Sequence, residues 1–373
     1  MSISRLERLV AATQAAGLAG LALMPDANLT YLSGLSFHPG KRLTLALIPA
    51  DGSPPCMVLP ALEQSKCEAG SLVAFRYFAW GDAEGPLAAL QAAFAAAFPA
   101  GLAGQALAVE YTALRMMELR ALETVMPGLI TADATALLAG LRMAKDDAEL
   151  TAITEAVRIV EVALAQTIAQ IRPGLTERQL SRICADAIIA AGADSESFAN
   201  IVAGGPNGAN PHHSNSDRPL QVGDLVIIDC GARWGGYISD ITRTVALGEP
   251  GDEARLVYEL VLLANGAGRA AATTGASGAQ IDAAARAVIT AGGYGDFFIH
   301  RTGHGFGIEG HELPNIVAGS EAPLAPGTTF TVEPGIYLPG KFGVRIEDDL
   351  VMESGGARSL TSFPRELIVV PVA

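Results

Sequence analysis

The chain has 373 residues, with 25 Lys and Arg against 39 Asp and Glu, giving a formal net charge of −14 at pH 7. Half of its residues are hydrophobic and its mean hydropathy is +0.33, so it can bury a large core and is not a disordered chain. The acid excess argues against a nucleic-acid partner, because the only four lysines (Lys41, Lys66, Lys145, Lys341) form no basic run. The cysteines at 56, 67, 184 and 230 make no CxxC pair, which suits a reducing compartment and excludes a zinc knuckle.

In chain order, the apolar run 9–24 after Arg5 and Arg8 has the outline of a signal peptide, but Glu7, Thr13 and Gln14 break it. It reads instead as an amphipathic helix over 4–16 followed by a buried strand at 20–24. Further strands are predicted at 43–48, 56–59, 73–78 and 106–110, with helices between several of them. The uncharged stretch 85–109 is long enough to suggest a membrane span, yet it is mostly Ala and Gly and contains Gln91, Pro99 and Gln105. A helix, a turn and a strand account for it better. A cytoplasmic protein with no membrane contact is the expectation.

The first 140 residues therefore read as a small α/β domain, and 141–373 as a second domain of α+β type. The second opens with a long amphipathic helix from about Asp146, ended by Pro173-Gly174. It carries a weak internal repeat. GLTERQLSRICADAIIAAG at 174–192 and GASGAQIDAAARAVITAGG at 275–293 each follow a longer helix and precede a hairpin. Such a duplication predicts a pseudo-twofold axis with the two hairpins face to face.

The chemistry lies in those hairpins. In LVIIDCGARWGGYISDITRTVAL (225–247), a turn centred between Trp234 and Gly235 would place Asp229 directly opposite Asp240. Their Cβ atoms would then lie about 5 Å apart, a destabilising arrangement unless a cation sits between them. In TTFTVEPGIYLPGKFGVRIEDDLVM (328–352), Glu333 and Glu347 have Gly340 at their midpoint and form a second pair. Between the hairpins His304 is flanked by Gly303 and Gly305, which let backbone approach an imidazole closely. Four carboxylates and one imidazole favour Mn²⁺ or Co²⁺ over a closed tetrahedral zinc site, with Zn²⁺ still compatible. They suffice for two metals about 3.5–4 Å apart, and the matching reaction class is amide hydrolysis. Rival motifs fail. GIYLPGK (335–341) is followed by Phe342 where a P-loop needs Ser or Thr, and His311-Glu312 lacks the second His of HExxH at Asn315.

These residues resemble a known family. Asp229 in IIDCGA, Asp240 in SDITRT, His304 in HRTGHGFG, Glu333 in TVEPGIY and Glu347 in GVRIED are similar to the five-ligand signature of the pita-bread metallopeptidases. NLTYLSGL at 28–35 resembles the creatinase-type N-terminal domain of the prolidase and Xaa-Pro aminopeptidase branch. The resemblance implies two divalent ions that activate a bridging water, with Glu333 handling its proton. His212, in IVAGGPNGANPHHSNSDR, and His311, in GHELP, match the two active-site histidines that hold the substrate or stabilise the tetrahedral intermediate. Arg345 is expected either to orient Glu347 or to meet the substrate carboxylate, a salt bridge within its hairpin being the other reading. His300 is expected near the substrate, and His213 stays open between site and surface. His38 sits in a segment that can reach a partner subunit in this family, although a surface loop is the simpler reading.

The expected function is thus a two-metal peptidase cleaving Xaa-Pro bonds in small peptides, acting as a homodimer. The alternatives are a hydrolase or lyase of a non-peptide metabolite and a non-catalytic binding protein on the same fold.

Overall fold

The computed structural model describes residues 4–37 and 40–372, so His38 lies outside the described residues. The chain divides into two compact units, Met1–Arg142 and Met143–Ala373.

The first unit runs α1 (Arg5–Ala15), β1 (Gly20–Leu23), α2 (Ala27–Ser33), β2 (Leu45–Pro49), β3 (Cys56–Pro60), α3 (Ala61–Gly70), β4 (Arg76–Trp80), α4 (Leu87–Ala97), β5 (Leu107–Val109), α5 (Met116–Val125), β6 (Thr131–Asp133) and α6 (Thr135–Arg142). Ser4 and Glu7 form a capping box that starts α1. The six strands make one mixed sheet in the order β4-β3-β2-β1-β5-β6. The uncharged stretch 85–109 is the helix α4, a turn around Pro99 and the strand β5. Among the described residues no helix is long and apolar enough to cross a membrane. The strand expected at 73–78 begins later, at Arg76, because its ladder partners in β3 start at Cys56. Val73 and Phe75 are buried in the core as part of the approach to it.

The second unit runs α7 (Asp147–Ile168), α8 (Glu177–Ala190), β7 (Ser195–Glu196), β8 (Ile201–Gly204), β9 (Leu225–Cys230), β10 (Ala232–Trp234), β11 (Tyr237–Ile238), β12 (Ile241–Leu247), α9 (Asp252–Ala271) and α10 (Gly278–Ala291). It continues with β13 (Gly303–Gly305), β14 (Glu312–Ile316), β15 (Thr329–Val332), β16 (Gly335–Leu338), β17 (Phe342–Arg345), β18 (Asp348–Glu353), β19 (Gly356–Ser359) and β20 (Val369–Val370). The order long helix, short helix, hairpin occurs twice. Both short helices start from equivalent capping boxes, Thr176 with Gln179 and Ser277 with Gln280.

Alternation along β9 decides which side chains reach the site. Val226, Ile228 and Cys230 pack with Val160 and Leu164 of α7 and with Leu180 and Cys184 of α8. Each such buried aliphatic contributes on the order of 1.5–3 kcal/mol. Ile227 faces the other way, against Tyr337. Asp229 shares its parity and is therefore directed away from the helices.

Candidate metal centre and active-site cavity

The second unit contains a cavity of about 510 Å³ whose lining includes Asp229, Asp240, His304, Glu333 and Glu347, together with His212, His300, His311 and Arg345. These nine residues thus come to one place, while His213 does not line it.

The hairpin register differs from the expectation. Asp229 lies opposite Thr242, not Asp240. The reason is the turn: Gly235 and Gly236 both have positive φ, 57° and 86°, and form a two-residue turn one position later than expected. A partner shift of two residues preserves the face, so Asp240 stays beside Asp229 on a diagonal. The second hairpin has the expected centre. Val332 pairs with Asp348 on one side and Gly335 with Arg345 on the other, which sets Glu333 across from Glu347 in the break between the two ladders.

His304 is held in β13 between two strands. A Cβ on Gly303 would lie 2.0 Å from Thr331 O, and one on Gly305 would lie 2.4 Å from Leu313 O. Only glycine admits that approach on both sides of the imidazole. His304 Nδ1 lies 3.1 Å from Gly305 O, which can only accept, so Nδ1 carries the proton. Nε2 then points at Glu333 Oε1, 3.2 Å away, and lies 3.9 Å from Asp240 Oδ2. Nε2 can face those oxygens either as an N–H donor to Glu333, the charged state that lowers Glu333, or, with a cation between them, as a lone-pair ligand.

The carboxylates make the same point. Asp229 Oδ1, Asp240 Oδ1 and Glu347 Oε1 are buried with no hydrogen-bond partner. Ligand atoms of Asp240, His304 and Glu347 lie within 4.8 Å of one another. Burial, followed by the like charges of its neighbours, pushes Asp240 and Glu347 well above the usual carboxylate range. Burial raises Asp229 as well, with Arg345 acting against it. For Glu333 burial is outweighed by the hydrogen bond and charge of His304, which carry it down to about 2. Orphaned buried oxygens cost several kcal/mol unless a cation satisfies them, so this donor set fits divalent metal.

Arg345 is buried, and its donors are engaged. Nε bonds Thr242 Oγ1 at 3.1 Å, Nη1 bonds Tyr337 Oη at 2.9 Å and Nη2 bonds Asp229 Oδ2 at 2.6 Å. Its ion pair runs to the other hairpin, not within its own. His300 donates Nδ1–H to Arg301 O at 2.7 Å and accepts Tyr337 O–H at Nε2, 2.8 Å. Tyr337 was not singled out from the sequence. The signal was available, because counting in twos from Glu333 passes Gly335 and reaches Tyr337 on the same face.

His311 stacks edge-on against His304, with ring centroids 4.2 Å apart. Burial, then the neighbouring His304 and Arg301, lower it to about 4, so it is neutral at pH 7. His212 is exposed on the cavity wall. His213 turns away and bonds Glu177 at 2.8 Å.

The fold is a creatinase-type α/β domain followed by a pita-bread α+β domain. Residues 151–354 match the family model described as metallopeptidase family M24, and residues 5–144 match the creatinase/prolidase N-terminal domain. The chain belongs to metallopeptidase family M24 and is an enzyme of that family. A probable dipeptidase PepE of Mycobacterium tuberculosis is 40% identical over 372 residues, spanning 99% of this chain and 96% of that protein. An Xaa-Pro dipeptidase of Lactobacillus delbrueckii is 39% identical over 71% of this chain and 73% of its own length. The crystal structure of a prolidase from Thermococcus sibiricus superposes with a TM-score of 0.93 at 35% identity, covering 99% of this chain and all of that one.

Proposed function

We propose that this metallopeptidase is an Xaa-Pro dipeptidase that uses two divalent ions, most suitably Mn²⁺, held by Asp229, Asp240, His304, Glu333 and Glu347. The observation that carries the reading is the set of three partnerless carboxylate oxygens facing one cavity beside the Nε2 of His304. The oxygen-rich donor set favours a hard or borderline ion. The names of the relatives support the dipeptide substrate.

When bound, the ions supply Lewis acidity and a water of lowered pKa. The residues of the chain do the rest. Glu333 is ionised at neutral pH and takes a proton at its carboxylate, returning it to the leaving nitrogen as general acid. His311 is neutral, so a ring N–H can donate to the oxygen that becomes negative as the peptide carbonyl is attacked. His212, on the wall of the same cavity, orients the substrate. Arg345 holds Asp229, and His300 holds Tyr337 against Arg345. A division at residues 140/141, a homodimer and a cytoplasmic location belong to the same reading. All four cysteines are free and buried, which supports a reducing compartment.

The test is a Mn²⁺-supplemented assay comparing Xaa-Pro dipeptides, longer Xaa-Pro peptides and peptides without proline. Cleavage of Xaa-Pro dipeptides alone is the expected result. Cleavage of the longer peptides would make the enzyme an aminopeptidase. No cleavage of any peptide would favour a metabolite hydrolase or a binding protein.

A further inference from the structure

The loop between β8 and β9 brings His212 to the cavity wall. It is a surface segment containing Pro206, Gly208 and Pro211, and little of it packs in a core. Asn215 ties it to Ser181, Asn200 and Val202, and one carboxylate outside the cavity gathers donors from both ends of it. Glu177, at the start of α8, has a fully buried side chain. Its Oε1 accepts from Gly204 N–H and from Asn207 Nδ2, each at 2.9 Å. Its Oε2 accepts from His213 Nε2 at 2.8 Å, Ser216 N–H at 3.0 Å and Ser216 Oγ at 2.6 Å. These donors lie on both sides of His212 in the chain. Burial alone would raise such a carboxyl, but the bonds from Ser216, Gly204, His213 and Asn207 outweigh it and keep the group below its usual value.

The clasp on His213 bears directly on its neighbour. With the ring of His213 drawn down to Glu177, the side chain of His212 is left on the opposite side, towards the cavity. His212 N–H also donates to Asn210 Oδ1 at 3.1 Å, which closes a local turn within the clasped segment. A displacement of about 1 Å at a group that orients substrate costs on the order of 10²-fold in rate. We infer that Glu177 is a positioning residue for His212, setting turnover through the 205–216 loop without touching substrate or metal. The inference rests on the peptidase reading above for the role of His212.

The test uses full-length protein loaded with Mn²⁺, an Xaa-Pro dipeptide, and the variants Glu177→Gln, His212→Ala and their combination. A glutamine keeps the shape but presents an N–H₂ group to donors that need an acceptor. Glu177→Gln is expected to lower kcat about 10- to 100-fold with KM changed less than about 3-fold. In the His212→Ala background it should have no further effect, as coupled residues behave in a double-mutant cycle. Ser216→Ala, which removes a single donor and disturbs folding less, should move kcat the same way by a smaller factor. Mn²⁺ stoichiometry and affinity should match those of the parent protein. The same loss of kcat from Glu177→Gln in both backgrounds, or a loss confined to KM, overturns the inference. Hydrogen exchange by mass spectrometry decides independently of activity. Faster exchange confined to 205–216 in Glu177→Gln supports the clasp, and unchanged exchange there refutes it. A His212→Ala variant with full turnover overturns the inference too, whereas a parent protein that cleaves no peptide would count against the peptidase reading and leave the exchange result standing.

Discussion

Replacing Arg345 by methionine separates two things a buried cation can do. The guanidinium is paired with Asp229 at 2.6 Å, with side chains only 5% and 13% exposed. Methionine occupies a similar volume, so the cavity penalty is small and the loss is electrostatic. Removing one partner of a buried pair costs about 3–5 kcal/mol, because the other charge is left uncompensated. For a unit of this size that is roughly 6–20 °C in Tm, at about 2–4 °C per kcal/mol. This cost belongs to the metal-free protein. Divalent ions beside Asp229 would supply the missing positive charge, so the metal-loaded variant should lose less. The thermodynamic cycle then requires that the variant bind metal more tightly. Relief of even half the penalty, about 1.5–2.5 kcal/mol, is a gain of tenfold or more in affinity. Turnover should nevertheless fall about 10- to 100-fold, since the carboxylate has lost the group that orients it. Thermal unfolding with chelator and with excess Mn²⁺, together with calorimetric titration of metal, reads all three quantities. Metal affinity that weakens along with turnover, or a metal-free Tm within about 2 °C of the parent (under ~1 kcal/mol), would refute the charge argument.

Four other outcomes are expected. Chelation of the parent protein should lower its Tm and re-addition of Mn²⁺ restore it, because three orphaned carboxylate oxygens regain partners; a Tm indifferent to metal would leave those oxygens unexplained. Asp229→Asn should abolish peptide cleavage while circular dichroism stays that of the parent, and retained turnover would make the carboxylates structural. Gly303→Ala should destabilise by about 1–3 kcal/mol or more, since its Cβ would meet Thr331 O at 2.0 Å; a Tm shift under about 2 °C would contradict the close-approach argument. Glu110 in the first unit, raised from 4.5 to about 8 by burial and then by Asp26, should make stability fall as pH rises across that interval. There the folded chain keeps a proton that the unfolded chain has released, so the slope is up to about −1.4 kcal/mol per pH unit. Glu110→Gln should flatten the slope, and an unchanged pH profile in that variant would exclude Glu110 as its source.

The parts of the site that were legible in the sequence are those set by local periodicity. Asp229, Asp240, Glu333 and Glu347 could be found because a hairpin's centre and a period of two determine which residues share a face. The second hairpin shows this directly, since its register follows from Gly340 at the midpoint. The first hairpin shows how far the rule tolerates error. Three consecutive positions, Trp234, Gly235 and Gly236, compete for the turn, and the glycine pair wins because a two-residue hairpin turn of this type needs positive φ twice. The resulting shift of two residues moved the partner of Asp229 but not its face, so the inference to a shared site survived a wrong pairing.

What the sequence hid was the support of the site, and the reason is separation along the chain. Glu177 takes donors from residues 27 to 39 positions away, and Arg345 reaches Asp229 across 116. No periodicity connects such partners. Before the fold is known, a Glu in the first turn of a helix reads as a favourable charge at a helix N-terminus, which is true of Glu177 and irrelevant to its five hydrogen bonds. The same reasoning applies to Arg345, which the sequence placed beside Glu347 because they are two residues apart. In the folded chain its charge is spent on Asp229 of the opposite hairpin. The proposed ligands are thus specified within each hairpin, whereas their orientation is specified between hairpins. For that reason the expected consequence of losing Arg345 is tighter but less productive metal binding, an outcome that a reading confined to its own hairpin would not have reached.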